Sequence, residues 1–119
     1  MTDSRSKGAA GERELAAKLT ELGMPCRRTC QHDGRFEADI EGIPGLHIEC
    51  KRVEKLRLWD SYEQACRDAS ADEVPVVMHR ANRRPWLAIM ALDDFTELWQ
   101  HAHGWDDGSA WRGIRKGDK

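Results

Sequence analysis

Two short runs of alternating polar and apolar residues, joined by a turn sequence, constrain this chain most strongly. Residues 46–51 alternate Leu, Ile and Cys with His, Glu and Lys, so a β-strand there buries the first three and places the others on the opposite face. Residues 36–40 alternate in the same way, and the intervening residues 42–45 read Gly-Ile-Pro-Gly. The sequence therefore predicts a β-hairpin.

The predicted hairpin brings charged side chains together on one face. Asp39 lies beside Glu49, and Lys51 follows Glu49 at roughly 7 Å on the same strand face. Two converging carboxylates suit a hard cation with oxygen ligands, Mg²⁺ or Mn²⁺ rather than zinc. An ammonium beside such an ion can steady an attacking water or a developing phosphate charge. Taken alone, an acid-x-lysine pair is more often a solvated pair of surface charges.

A third acidic residue, Glu12, is singled out by helical phase. Residues 7–22 predict a helix whose apolar residues recur at helical spacing, and a Gly-Met-Pro sequence ends it. At about 100° per residue, Glu12 falls within roughly 30° of the centre of the apolar stripe, whereas Glu14 points away. Because a buried acid needs a partner, we expect Glu12 to face a metal site or a lysine such as Lys51. Glu14 is expected to be an ordinary surface residue.

These residues together resemble a known nuclease family. The stretch from residue 7 to residue 15, Lys-Gly-Ala-Ala-Gly-Glu-Arg-Glu-Leu, is followed by Arg-Arg at 27–28, then by Asp39 and by Glu-Cys-Lys at 49–51. In this order they resemble the PD-(D/E)XK nuclease superfamily, and within it the small Holliday junction resolvases of archaea and of phages. The resemblance extends from about residue 7 to residue 99.

The resemblance implies a role for each matched residue. Asp39, Glu49 and Glu12 would be site acids that hold Mg²⁺ or Mn²⁺. Lys51 would be the catalytic lysine, and the backbone carbonyl of Cys50, between the two functional residues, could ligate the same ion. The residues expected to contact DNA phosphates are Lys7, Arg13, one or the other of Arg27 and Arg28, and Arg52.

The next predicted helix spans residues 58–70. Its apolar face is expected to join the core through Trp59, Tyr62, Cys66 and Ala69. Gln64 lies off that face. Phage resolvases favour a Gln-Ala pair at this point, so the resemblance places Gln64 at the border of the site, and a solvated helix residue is the alternative.

The remaining elements complete a layered fold. Residues 74–79 and 86–91 are apolar runs that predict strands covered on both faces. Asp93 or Asp94 then caps a last helix. The side chains of that helix expected to face the core are Phe95, Leu98 and Trp99. The order α-β-β-α-β-β-α, with an optional extra strand at residues 25–29, predicts an α/β fold of three layers, a mixed sheet flanked by helices. The resemblance implies that this fold is restriction-endonuclease-like.

Length and the lack of long apolar runs indicate one compact domain without a membrane segment. The chain has 119 residues, near the modal domain size. We expect a nuclease domain over residues 1–102 and a tail over residues 103–119, whose Trp105 and Trp111 could pack on the body, mediate a dimer or stack on DNA. No apolar run is long enough to span a bilayer and the polar start is no signal peptide, which predicts a cytoplasmic protein.

Charge and cysteine content narrow the possible partners. A net charge of −2 argues against a protein that coats nucleic acid by bulk attraction. Basic residues nevertheless cluster at 51–57 and at 79–84, where they predict salt-sensitive phosphate contacts, although a solvated surface explains either cluster equally well. The four cysteines indicate no disulfide framework. Cys26, Cys30 and His32 invite a zinc interpretation, but a fourth ligand of suitable spacing is not evident.

The sequence thus predicts a Mg²⁺-dependent endonuclease that hydrolyses DNA phosphodiesters at four-way or other branched junctions. Because a symmetric junction requires two nicks, we expect a homodimer. One alternative is a nuclease of the same fold that acts on linear or damaged DNA. The other is a non-catalytic DNA-binding module, from which we would expect at least one member of the acid-acid-acid-lysine set to be missing.

Overall fold

The elements follow in the order helix, three strands, helix, two strands, helix. The computed structural model describes residues 4–29 and 38–104, with side chains from residue 8 onward. The helices are α1 (Ser4–Glu21), α2 (Leu58–Asp68) and α3 (Leu92–Ala102). The strands are β1 (Arg27–Arg28), β2 (Ile40–Glu41), β3 (Leu46–Arg52), β4 (Val74–Arg80) and β5 (Leu87–Ile89). The predictions that fall outside the described part concern Cys30, His32, Trp105, Trp111 and the side chain of Lys7.

The five strands form one mixed sheet in the order β1-β2-β3-β4-β5. β3 and β4 are parallel, and the other neighbouring strands are antiparallel. A parallel pair needs a crossover connection, which α2 provides between β3 and β4. The predicted α/β class with a mixed sheet is confirmed, and β1 is the extra strand expected at residues 25–29.

Helix α1 covers one face of the sheet. Its Leu15 and Leu19 are buried together with Ile48 of β3. Ile48 is the register partner of Val76 in β4, so alternate residues of both strands point toward α1. The buried cluster comprises Leu15, Ala16, Leu19, Ile40, Ile48, Val74, Val76 and Met78. Since burial of one large aliphatic side chain stabilises a fold by about 1.5–3 kcal/mol, this cluster fixes α1 and the sheet together.

The opposite face of β3 is polar and meets α2. It carries His47 and Glu49, which are 1% and 3% exposed, and then Lys51. The side of α2 that is buried is formed by two small residues, Ser61 and Ala65. Small side chains let a helix approach a sheet closely, so polar groups on β3 are enclosed without a thick apolar layer. The fold therefore has the predicted three layers, with α1 and α2 on opposite faces of the sheet.

The predicted core face of α2 is wrong for Trp59 and Cys66, whereas Tyr62 and Ala69 are half-buried. Trp59 is 69% exposed and Cys66 is exposed, whereas Ser61 and Ala65 are buried. The apolar stripe does not meet the sheet because the face of β3 beneath α2 is polar, and the smaller side of the helix fits there. Trp59 packs instead edge-on against Tyr62, with ring centroids 6.2 Å apart.

The last helix also differs from its prediction. α3 begins after Ala91, without a side-chain cap from Asp93 or Asp94. Phe95 is 51% exposed and Trp99 is 41% exposed. Of the three side chains expected in the core, Leu98 packs against the buried cluster. The buried residues of α3 are Asp94 and His101, so the helix turns the face that carries Asp94, Leu98 and His101 inward rather than the face of Phe95 and Trp99.

The prediction of strands covered on both faces holds for β4 and is wrong for β5. Four residues of β4, Val74, Val76, Val77 and Met78, are buried. β4 lies between β3 and β5, whereas β5 is the edge strand of the sheet. Leu87 of β5 is therefore 54% exposed, and Ala88 is exposed as well.

None of the described helices suits a bilayer. α1 is the longest, with 18 residues, and it carries acidic and basic side chains along its length. Within residues 4–29 and 38–104, no helix combines the length and the apolar character that crossing a membrane requires.

Candidate active site

The hairpin of β2 and β3 brings Asp39 and Glu49 next to each other. Ile40 of β2 opposes Ile48 of β3, and the Asp39 N–H donates to the Ile48 carbonyl at 2.9 Å. The connecting turn contains Gly42 and Gly45 at φ 109° and 86°, a backbone region that glycine adopts without steric cost. Asp39 therefore lies across from Glu49, as the alternating pattern predicts.

The carboxylates of Asp39 and Glu49 repel each other at a position with little access to water. Burial raises the pKa of Asp39 to about 7, and the neighbouring charge of Glu49 adds to the effect. The Cys50 N–H donates to Asp39 Oδ2 at 2.8 Å, which favours the ionised form and partly offsets the rise in pKa. The negative charge of Glu12 raises the pKa of Asp39 further. Half-buried Asp39 and buried Glu49 thus form an acidic pair whose charge a cation would stabilise.

Lys51 lies on the same face of β3 as Glu49 and reaches α2. Its Nζ donates to Gln64 Oε1 at 3.5 Å, the long limit of a hydrogen bond. Lys51 and Gln64 are both half-buried. The structure therefore places Gln64 beside the predicted catalytic lysine, as expected for a residue at the border of the site.

Glu12 is close to the acidic pair but is bonded to a different cation from the one expected. Its Oε1 accepts a hydrogen bond from Arg28 Nε at 2.8 Å, and the Glu12 side chain is 18% exposed. Its charge helps to raise the pKa values of both Asp39 and Cys50, which places it near the hairpin. Arg28 of β1, rather than Lys51, is the partner that this partly buried acid requires.

Glu14 is not the ordinary surface residue that its helical phase predicts. It accepts hydrogen bonds from Arg80 Nη1 and, at 3.0 Å, from Arg52 Nε. Although partial burial acts to raise the pKa of Glu14, the two guanidinium groups lower it overall. The prediction is wrong because helical phase reports only the angle to the apolar stripe, whereas α1 also lies over the basic ends of β3 and β4.

The basic residues expected to contact DNA differ in how they are held. Arg13 is exposed, and Arg27 is exposed while bonded to Glu41 at 2.6 Å. Arg28 is bonded to Glu12. Arg52 is engaged more extensively, since its guanidinium also donates to the Arg80 carbonyl at 3.4 Å and to Asn82 at 3.1 Å. Exposed Arg13, and Arg27 at the loss of its one bond to Glu41, are therefore better placed to reach a phosphate than Arg52, which would have to break several internal bonds.

The side chain of Cys50 points to the face of β3 opposite to that of Glu49 and Lys51. Its thiol lies on the α1 side of β3, where burial and then the charge of Asp39 raise its pKa to about 12. The thiol therefore stays protonated and behaves as a small apolar group. Its backbone N–H holds Asp39, and the proposed role of its carbonyl as a metal ligand remains a prediction.

Sequence reasoning missed His47. This residue is buried next to Glu49, with Nε2 and Oε1 2.9 Å apart, and its Nδ1 lies 3.6 Å from Glu73 Oε1. Burial acts to lower the pKa of His47, but the hydrogen bond and charge of Glu49, together with the charge of Glu73, raise it overall. The signal was present in the strand pattern, because His47 precedes Glu49 by two residues and must share its face.

The donors of the acidic pair fit a hard divalent cation. Carboxylate oxygens are the preferred ligands of Mg²⁺ and Mn²⁺, which also keep several waters. Asp39 has one oxygen fixed by the Cys50 N–H, and Glu49 is held by His47, so both carboxylates are oriented before any ligand arrives. The buried repulsion between them is the kind of energetic cost that ion binding removes.

Comparison with known proteins finds no relative of this chain. No protein-family model matches the chain, and neither a curated protein nor a solved structure matches it. The α/β fold and the arrangement of Asp39, Glu49 and Lys51 are therefore supported by the residues of this chain alone.

Proposed function

We propose that this protein is a Mg²⁺-dependent endodeoxyribonuclease with a restriction-endonuclease-like fold. The observation that carries the proposal is the pair of half-buried Asp39 and buried Glu49, whose mutual repulsion contributes to a pKa of about 7 for Asp39. Lys51 follows on the same strand face as Glu49. Carboxylates that converge in this way and a neighbouring ammonium supply the groups that metal-assisted phosphodiester hydrolysis needs.

Each residue of the candidate site has a defined part in this proposal. Asp39 and Glu49 would hold Mg²⁺ or Mn²⁺, and the bound ion would neutralise phosphate charge and acidify a water. The Cys50 N–H keeps the Asp39 carboxylate oriented. Lys51, steadied by Gln64, would hold the attacking water or offset the charge that develops on the phosphate. Glu12, paired with Arg28, would complete or orient the groups around the bound ion.

A four-way or branched DNA junction is the proposed substrate. This choice is supported by the resemblance of residues 7–15 to Holliday junction resolvases. A symmetric junction must be nicked twice, so the proposal includes a homodimer. The exposed arginines Arg13 and Arg27 offer phosphate contacts that do not depend on base sequence. A nuclease that acts on linear or damaged DNA, or a module that binds DNA without cleaving it, is the competing assignment.

The test is cleavage of a labelled four-way junction beside a linear duplex of the same sequence, with and without Mg²⁺. We expect cleavage of the junction by the wild-type protein to require the ion. Lys51→Ala and Asp39→Asn should each reduce the rate by about 100-fold or more, because each removes a group that acts on the developing charge or holds the ion. Lys18→Ala is the matched control, since Lys18 lies on the outer part of α1 and pairs with Glu21.

The possible outcomes separate the assignments. Equal cleavage of junction and linear duplex would contradict the junction preference while leaving the nuclease assignment in place. Cleavage without a divalent ion, or unaffected by both site substitutions, would contradict the proposed mechanism. Tight DNA binding without any cleavage would support the non-catalytic module.

A further inference from the structure

A second group of metal-ligating side chains lies on the α2 side of the sheet. It consists of His47 and Glu49 from β3 and Asp68 from the last turn of α2. Their candidate ligand atoms all lie within 4.8 Å of one another. His47 and Glu49 are almost fully buried and Asp68 is half-buried, so the group is enclosed by the contact between α2 and the sheet.

The spacing of these atoms is close to that of a coordination shell. Two ligands at adjacent positions around an ion, each about 2.1 Å from it, lie about 3.0 Å apart in octahedral and about 3.4 Å apart in tetrahedral coordination. His47 Nε2 and Glu49 Oε1 are 2.9 Å apart. The widest separation in the group is at most 4.8 Å, and closing it to the spacing of ligands around a tetrahedral ion requires an inward movement of up to about 1.4 Å. A side-chain rotation of half-buried Asp68 would provide it.

A fourth residue supports the imidazole from behind. Glu73 Oε1 lies 3.6 Å from His47 Nδ1, the ring nitrogen that faces away from Glu49. The same Glu73 oxygen accepts a hydrogen bond from the Ser70 N–H at 3.0 Å, which fixes the carboxylate. Histidines that bind metals commonly direct their second ring nitrogen toward a carboxylate, which sets the tautomer and makes the ligand nitrogen more basic. At 3.6 Å the contact of Glu73 with His47 is longer than a hydrogen bond, and the position of this carboxylate is a second feature of a metal site besides the spacing.

We propose that His47, Glu49 and Asp68 form a second metal site for a borderline transition ion such as Zn²⁺ or Co²⁺. An imidazole nitrogen beside two carboxylates favours these ions over Mg²⁺, which prefers oxygen ligands and retains its waters. The site shares Glu49 with the Asp39 pair. An ion bound to His47 and Asp68 would engage the Glu49 carboxylate that the Asp39 pair also needs, so Zn²⁺ would inhibit the Mg²⁺-dependent reaction. The inhibition rests on the proposed nuclease function, whereas the binding does not.

The test of binding is a titration of the purified protein with Co²⁺, followed by its visible absorption, and with Zn²⁺, followed by calorimetry. We expect Asp68→Asn to weaken the affinity of the site for both ions by at least about 10-fold, in line with the loss of a ligand. Asp60→Asn is the matched control, because Asp60 lies on the same helix and its side chain is 66% exposed and paired with Arg57. Asp39→Asn should retain Co²⁺ binding, since Asp39 belongs to the other site.

The outcomes are distinct for the two proposals. Equal Co²⁺ affinity in wild-type and Asp68→Asn proteins would overturn the second site and leave His47 and Glu49 as a buried ion pair. Co²⁺ binding lost in Asp68→Asn but not in Asp60→Asn would support it even if no nuclease activity is found. Where activity is found, Zn²⁺ inhibition is expressed relative to each variant's own Mg²⁺ rate. Asp68→Asn should then need at least about 10-fold more Zn²⁺ for half-inhibition.

Discussion

Asp39 illustrates how far the fold can change the chemistry of a single side chain. Removal from water and the nearby charge of Glu49 raise its pKa to about 7, although the Cys50 N–H favours the ionised form. The folded protein therefore holds a proton on Asp39 under conditions in which the unfolded chain has released it. Such a shift couples the stability of the protein to pH.

The expected result is that the free energy of unfolding falls as pH rises from about 4 to about 7. These limits follow from the ordinary pKa of 3.8 for aspartate and the raised value of about 7 in the fold. In this interval the folded state binds more protons than the unfolded state, so raising the pH favours unfolding. Asp39→Asn keeps a neutral, similarly shaped group and should be more stable than the wild type above pH 7, by on the order of 2 kcal/mol.

Urea denaturation at pH 5, 6, 7 and 8, without divalent ions, measures this dependence. The difference in stability between Asp39→Asn and wild type should grow from pH 5 to pH 7 and then stay constant. Asp93→Asn is the control, because Asp93 is exposed in the first turn of α3. A difference that does not change with pH would contradict the raised pKa of Asp39.

At the same scale, the sequence predicts some contacts and misses others for a clear reason. Strand alternation and the turn place Asp39 beside Glu49 because those patterns are local. The roles of Glu14 and His47 depend on groups from distant parts of the chain, Arg80 for the former and Glu73 for the latter. Pairing over such distances is set by tertiary structure, which neither helical phase nor strand alternation contains.

At the scale of elements, the close contact between α1 and β3 depends on residue 11 being a glycine, which has no side chain. A Cβ atom added at Gly11 would lie 2.7 Å from Arg52 Cβ and 3.9 Å from Cys50 Sγ. The nearest atom is the first carbon of a side chain rather than a flexible end, so the strand or the helix would have to move. Gly11 therefore lets α1 sit close enough to β3 for Glu14 to reach Arg52.

Gly11→Ala is expected to destabilise the protein by about 1–3 kcal/mol, despite the higher helix propensity of alanine. Gly8→Ala, in the same helix, is the matched control. A Cβ at Gly8 meets nothing within 4 Å, so the alanine should be neutral or stabilising by up to about 1 kcal/mol. Thermal unfolding of both variants measures the difference, and equal stability would contradict the close packing.

The presence of α2 and α3 is easier to predict from the sequence than the face of each helix that is buried. Helical periodicity locates both helices, but it assigns their apolar stripes to the core. In the fold, α2 meets the polar face of β3, and Trp59 is left exposed. α3 likewise exposes Leu92, Phe95 and Trp99 while burying Asp94. The orientation of a helix depends on the surface beneath it, and that surface is formed by other segments.

At the scale of the whole molecule, the parallel pair of β3 and β4 is the central structural unit. The two strands are in register over seven residue pairs, from Leu46 with Val74 to Arg52 with Arg80. They occupy the middle of the sheet and are covered by α1 and α2. β1 and β5 lie at its edges and have two and three residues. Local stability should therefore decrease from the centre of the sheet outward.

Native-state hydrogen exchange, read residue by residue, measures that gradient. The amides of Ile48 and Val76 should exchange only through global unfolding, because their strands are buried and paired along their whole length. The amide of Leu87 in the edge strand should exchange several-fold faster or more. Equal protection of central and edge strands would contradict this order of stability.

The contacts of Glu14 have a consequence for how the chain assembles. Arg52 and Arg80 are register partners on adjacent parallel strands, so the fold places two positive charges side by side. Glu14 bonds both of them. A slip of one residue between the strands would displace one guanidinium by about 3.3 Å along the strand and turn its side chain to the other face. We infer that the packing of α1 favours the observed register of β3 and β4. Glu14 can bond both arginines in that register, but not in a register shifted by one residue in either direction.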